Sequence, residues 1–297
     1  MNDLHEWPGD STTVEQWMRD SLRPDPSEFE IHGIDDVRIS SSVDGDDLER
    51  LVVDGTGVAL RLRVPKHDSA PGASAPPAAS APSATPDIVE RRRGTARTVR
   101  MLARPVEIEG IPLTIDVQLD DAPIEWQVSA SPVVARRPES RYAIVLADDG
   151  EGMRGSFLAS MAADDLTPLL TAILRPALKA GGARLRHLAV TAAQDGTDGI
   201  RIDAAAGVRW RLIGASARGR ARIGVEPDGV VTVRDLRVGS RNPFVALALR
   251  AARKRIRAEI GRRHDLNESL TADGMRLRLH DLRVTVGDEI RVSARLG

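Results

Sequence analysis

Paired carboxylates are the first groups in this chain whose type and spacing could support chemistry. They recur at Asp35-Asp36, Asp46-Asp47, Asp120-Asp121, Asp148-Asp149 and Asp164-Asp165. Two carboxyls in one cleft can divide acid and base roles, but neighbours on a strand point to opposite faces, so these pairs read as turn and cap residues. Six histidines, at His5, His32, His67, His187, His264 and His280, show neither HExxH nor HxH spacing and offer no metal-ligand set. Asp44-Gly45-Asp46-Asp47 has the composition of a calcium loop without its spacing or its closing Glu. Nucleophile elbows, phosphate-binding glycine loops and dinucleotide fingerprints are missing from the sequence. The absence of cysteine excludes disulfides, thiolate metal sites and Cys nucleophiles together. The expectation is a non-enzymatic protein with no metal and no cofactor. Dispersed acids such as Asp148 and Asp235 leave a hydrolase or transferase as a rival.

The elements that would position any functional group follow periodic patterns. Val14, Trp17, Met18 and Leu22 predict a short helix over 11–22, capped by Ser11 or Thr12 and ended by Pro24 and Pro26. From 34 to 64 apolar and charged residues alternate as in strands, beginning at Ile34 to Ile39. Residues 69–86 are almost wholly Ser, Ala, Pro and Gly and read as a disordered linker. Alternation resumes after Arg91-Arg92-Arg93, through Leu113, Ile115, Val117 and Leu119 and on to Ile124, Trp126 and Val128, which marks an antiparallel sheet with one face wet. Tyr142 to Ala147 is a denser apolar run.

Two helices stand out in the second half. Leu166, Leu169, Leu170, Ile173, Leu174, Ala177 and Leu178 fall on one helical face, starting near Asp164 or Asp165 and stopping at Gly181-Gly182, with Pro176 expected to kink or shorten the helix. This helix reads as packed inside the sheet. A second opens at Asn242-Pro243 and runs to about Arg263, with Val245, Leu249, Ala252, Ile256 and Ile260 as its apolar stripe. Arg250, Arg253, Lys254, Arg255, Arg257, Arg262 and Arg263 crowd its polar side, which suits either a solvated face or an anionic membrane surface.

A strand signature repeats along the chain. Arg184 to Thr191 lines up with Arg278 to Thr285, and each is followed by a turn and a partner strand, at Ile200 to Ala204 and Ile290 to Ala294, so both copies predict hairpins. His187 and His280 fall near the starts of these copies as surface groups. Ser216, Arg218, Arg220 and Arg222 alternate with Ala217, Gly219, Ala221 and Ile223. Asp, apolar, Arg, apolar occurs at 36–39, 235–238 and 281–284; the Asp and Arg would pair on a solvent face or, alternatively, dock a headgroup. The overall charge is −1, which provides no global field to recruit nucleic acid. The N-terminus has no basic or apolar leader and no run approaches a membrane span, so the expected location is cytoplasmic, with peripheral membrane contact as a further option.

The run Val231 to Val238, the Asn-Pro-led helix from Pro243, Asp265-Leu266-Asn267 and the closing hairpin to Gly297 resemble the LmeA-like phospholipid-binding proteins of actinobacterial envelopes. The resemblance covers residues 100–297, and 29–66 more loosely. It implies a tubular-lipid-binding-like fold, a long bent antiparallel sheet rolled around a helix and enclosing an apolar tunnel. It carries no catalytic residues. Members acting at the envelope are exported, whereas this N-terminus shows no export signal.

The expected fold class is therefore α+β, a strongly curved antiparallel sheet wrapped around amphipathic helices with an internal helix-plus-hairpin repeat. The expected organisation is an N-terminal helical segment 1–28, first strands 29–68, a linker 69–87 and the remainder of the curved-sheet domain 88–297. The expected function is binding of a lipid or other apolar small molecule, lined by Leu166, Leu169, Leu170, Ile173, Leu174, Val245, Leu249 and Ile256, with Arg253 and Arg257 near the headgroup. The expected partners are that ligand and an anionic membrane, not nucleic acid. The rival is a scaffold that fills its own core and uses the basic helix to hold a partner.

Overall fold

The computed structural model describes residues 7–23, 29–62, 86–134, 137–147, 152–180, 182–210, 213–240, 242, 250, 254, 257–272 and 277–297. The expected linker, except for residues 86 and 87, lies outside this set, as does most of the helix expected from Asn242.

Helix α1 spans Ser11–Ser21. Its cap is Asp10, one residue before the expected Ser11 or Thr12: the Asp10 carboxylate accepts the Thr13 backbone N–H at 2.9 Å while Asp10 itself stays extended. Val14 on its inner face is completely buried, with Trp17, Met18 and Leu22 against the same core. Strand β1 is Phe29–His32. Ile34–Asp36 then form a 3-10 turn, not the start of a strand, because Gly33 at φ 75 redirects the chain. Strands β2 (Arg38–Asp44) and β3 (Asp47–Asp54) make a hairpin closed at Asp44-Gly45-Asp46-Asp47, so the calcium-like segment is a turn. Strand β4 is Ala59–Leu62.

The spine of the molecule is a long hairpin of β5 (Ile88–Ile108) and β6 (Ile111–Ser129), which at strand rise extends about 65 Å. Its turn is only Glu109 and Gly110, at φ 56 and 78, the doubly left-handed pair that matches the twist of the flanking strands. In β6 the apolar residues are odd-numbered from Leu113 to Leu119 and even-numbered from Ala122 to Val128. Asp121, at φ 54 between the two sets, absorbs the change of phase, and members of both sets reach the same core. Asp120-Asp121 is thus an irregularity inside a strand, not the expected turn.

Strands β7 (Tyr142–Leu146) and β8 (Arg154–Ala162) both pair with β6. The first sheet has ten strands and a main order β1-β4-β5-β6-β8-β15-β14. It is mixed, contrary to the purely antiparallel expectation, because β3 and β4 both lie parallel to β5.

After a 3-10 turn at Ala163–Asp165, helix α2 spans Leu166–Ala180. Pro176 neither ends it nor shortens it; a proline forfeits one ladder hydrogen bond, and the helix continues for a further turn. A second sheet of five strands follows: β9 (Ala183–Gln194), β10 (Gly199–Trp210), β11 (Ile213–Val225), β12 (Val230–Gly239) and β13 (Arg263–Asp265), in the order β13-β12-β11-β10-β9. Arg263 therefore belongs to a strand and not to the end of a helix. Helix α3 (Leu266–Ala272) leads to β14 (Leu279–Val286) and β15 (Glu289–Leu296), which rejoin the first sheet beside β8. Both expected repeat hairpins are present, as β9–β10 and β14–β15, in different sheets.

The larger core lies under the first sheet near the N-terminus. Trp7 sits with its ring 5.2 Å from Trp17 and 5.4 Å from Trp126, both edge-on as the ring quadrupoles favour, and 5.1 Å from the tilted ring of Tyr142. Each indole N–H has a backbone acceptor: Ala143 for Trp7, Glu139 and Tyr142 for Trp17, Asp46 for Trp126. A second, smaller cluster of Val225, Leu282 and Ala294 joins the two sheets.

Candidate functional site

Helix α2 carries its apolar residues on one side, and its N-terminal turn is tied to the edge strand β9. The Thr167 hydroxyl donates to the Val190 carbonyl at 2.9 Å and accepts the Val190 N–H at 2.8 Å. A free strand edge is thereby satisfied by a side chain. The rest of α2 packs against β9. Its apolar stripe is not sealed: Leu166, Leu169 and Leu170 are half-buried, and Ile173 and Leu174 are 38% and 39% exposed. None of the described side chains of α2 is buried, which corrects the expectation of a helix packed inside the sheet.

The second sheet has its larger apolar side chains on one face. Val190, Ala204 and Gly219 form one cross-strand row with Val238; Ala192, Ile202, Ala221 and Leu236 form the next. Of these, Val190 alone is buried, and Val238 is 38% exposed. In the first sheet Val117, Phe157 and Ala159 are half-buried and Met101 is 47% exposed, giving a further apolar strip between the two core clusters. The structure thus places Leu166, Leu169, Leu170, Ile173 and Leu174 together on one element beside this sheet. Val245, Leu249, Arg253 and Ile256 lie outside the described residues. Arg257 is described and exposed.

The charged signatures resolve into ion pairs. Arg38 reaches Asp54 at 3.1 Å, Arg237 reaches Asp235 at 3.0 Å and Arg295 reaches Asp281 at 3.3 Å. In the first sheet Arg100 holds Asp116 through two hydrogen bonds of 3.2 and 2.9 Å, and Arg104 joins them. The Arg100 hydrogen bonds hold the Asp116 carboxyl below the usual carboxylate range against the opposing effect of burial. On the second sheet Arg234 likewise lowers Asp198, at 2.5 Å. Asp198 lies in the turn between β9 and β10, and the other paired groups sit on strands. Among the described residues no group of three or more His, Asp or Glu side chains is placed to hold a metal ion. Nor is any described helix long and apolar enough to cross a membrane.

One feature was hidden from sequence reasoning. The alternating arginines of β11 were visible, but not their neighbours across the strands: Arg201 beside Arg222 on β10, and Arg237 beside Arg220 on β12. Only the register brings them to one face. Comparison with models of protein families, with curated proteins and with solved structures finds no match to this chain.

Proposed function

We propose that this protein binds a long apolar ligand, such as the acyl chain of a lipid, against α2 and the apolar face of the five-stranded sheet, and that it does so without catalysing a reaction. The observation that carries this reading is the unsealed stripe of α2. A helix with this pattern ordinarily buries it, and α1 buries Val14 completely in the same molecule. Leaving Ile173 and Leu174 in water forgoes hydrophobic stabilisation, and a large exposed apolar surface marks an interaction site. An acyl chain laid along Leu166, Leu169, Leu170, Ile173 and Leu174 would gain roughly 0.8 kcal/mol per methylene removed from water. The likeness of the second half to the LmeA-like phospholipid-binding pattern supports the same ligand class, and a tunnel closed around that ligand is part of the proposal. Arg257 is exposed, and a guanidinium on the surface suits a phosphate headgroup or an anionic membrane.

The test is direct. Protein purified without detergent, denatured and extracted should yield stoichiometric lipid by mass spectrometry, and delipidated protein should gain thermal stability on adding a C14 to C18 fatty acid. Ile173→Asp/Leu174→Asp should abolish both effects while leaving circular dichroism unchanged. A dry extract together with no fatty-acid-dependent stabilisation would sink the reading.

A further inference from the structure

The five-stranded sheet has two unlike faces, and the one turned away from the apolar residues contains a hollow of about 990 Å³. Its floor is built from residues with little or no side chain. Ala189, Ala205 and Gly239 share a cross-strand row with Arg218, and Gly207 lies in the next row, where the His187 ring folds over it. Along one side stand Thr191, Asp203, Arg220 and Arg237, a single row across four strands. Along the other stand His187 and Ser216. The lining is rich in donors, and its single carboxylate is already engaged: Asp203 accepts from Arg220 at 2.6 Å and lies 3.3 Å from Arg201. Arg237 is paired with Asp235 yet highly exposed. The Arg218 guanidinium, in the hollow, has no hydrogen bond or ion pair among the described residues.

Arg201, Arg218, Arg220, Arg222 and Arg237 face Asp203, Asp235 and Asp195, the last reached by Arg222 at 3.5 Å, so cations outnumber carboxylates on this surface of a protein whose overall charge is −1. The positive field is therefore local and built by the register. Arg218 and Arg220, two residues apart, are separated by about 6.5 Å along the strand, and Arg220 and Arg237 by about 5 Å across it, so the guanidinium groups span more than one phosphate. Planar guanidinium forks match phosphate oxygens in pairs. No Phe, Tyr or Trp lines the hollow, so bases would find no stacking platform, which disfavours single-stranded nucleic acid. A lipid headgroup fits poorly too, since the apolar surface that would take its chains is on the other side of the sheet.

We propose that this hollow binds a soluble small anion carrying two or more phosphate groups. The site is independent of the apolar surface, and each can fail without the other. Inorganic tripolyphosphate titrated calorimetrically into the full-length protein should bind saturably at one site, more weakly as salt rises. Arg218→Ala/Arg237→Ala should weaken binding about tenfold or more through loss of charge-assisted hydrogen bonds. Ala189→Leu, an exposed change on the edge strand, should weaken it by filling the floor with no change of charge. Arg291→Ala on β15 should bind like the parent protein. The proposal is overturned if folded protein shows no saturable binding, or if the double variant binds like the parent. It is also overturned if phosphatidylglycerol vesicles capture the protein through Arg218 and Arg237 while tripolyphosphate fails to compete.

Discussion

Asp116 shows what a single side chain contributes in a sheet whose wet face is lined with charge. Its carboxylate, only 16% exposed, bridges Arg100 and Arg104, whose own side chains are 42% and 50% exposed. Solvent around the arginines screens the attraction, so replacing Asp116 by Asn should cost about 1 kcal/mol and not the several expected of a buried pair. The pH dependence has a definite sign. The folded-state carboxyl titrates below its unfolded value, so its contribution is complete above about pH 4 and fades as pH falls through the lower folded value. Urea denaturation should therefore show parent and Asp116→Asn proteins separated at pH 7 and less separated at pH 3. Equal separation at both pH values would mean the carboxylate acts by shape and not by charge. The pairing of Asp with Arg along strands was legible in the sequence, because period-2 alternation puts them on one face. Which arginine meets which aspartate was not, since that depends on a register set by the irregularities between Ile88 and Glu90 and between Ala103 and Val106.

At the scale of elements, the β2–β3 hairpin lies directly on β5 because β5 carries glycine at one point. A Cβ on Gly94 would stand 1.8 Å from the Asp46 carbonyl oxygen and 3.2 Å from Trp126 Nε1. That same carbonyl accepts the Trp126 indole N–H at 2.8 Å. Gly94→Ala would thus push the hairpin turn off the strand and break the hydrogen bond of a buried indole, at a cost of about 3 kcal/mol or more. The expected result is a lower urea midpoint at unchanged slope, with altered Trp126 fluorescence; a midpoint within error of the parent would show that the turn can shift freely. Nothing in the local sequence marks Gly94, which follows Arg91-Arg92-Arg93 in a stretch read only as the start of a β pattern. By contrast α1, α2 and the hairpins β9–β10 and β14–β15 were legible, because each has a one-faced period that its own residues establish. The stripe of α2 was read as well; its incomplete burial was not, because periodicity specifies which face is apolar and not what covers it.

For the whole molecule, the uneven distribution of core sets the order of unfolding. Trp7, Val14, Leu48, Ala96 and Trp126 are buried almost completely in the large N-terminal cluster, whereas the described cluster at the second sheet buries only Val225, Leu282 and Ala294. Burial of apolar area is the main favourable contribution to folding, so the second sheet with α2 should form the less stable unit. In a Trp210→Phe variant the remaining tryptophans all report the N-terminal cluster. Far-ultraviolet circular dichroism, which follows every strand, should then begin to change at lower urea than tryptophan fluorescence does. Coincident curves would instead make the molecule a single cooperative unit. The two proposed surfaces lie on the second sheet and on α2 beside it, so mass action makes a further distinction: a ligand that binds only the folded unit stabilises that unit by RT ln(1 + [L]/Kd). Fatty acid held on α2, or tripolyphosphate held over Ala205, should move the early transition towards the fluorescence transition without shifting the latter. Stabilisation of the fluorescence transition alone would place the bound molecule at the N-terminal core, away from both proposed surfaces.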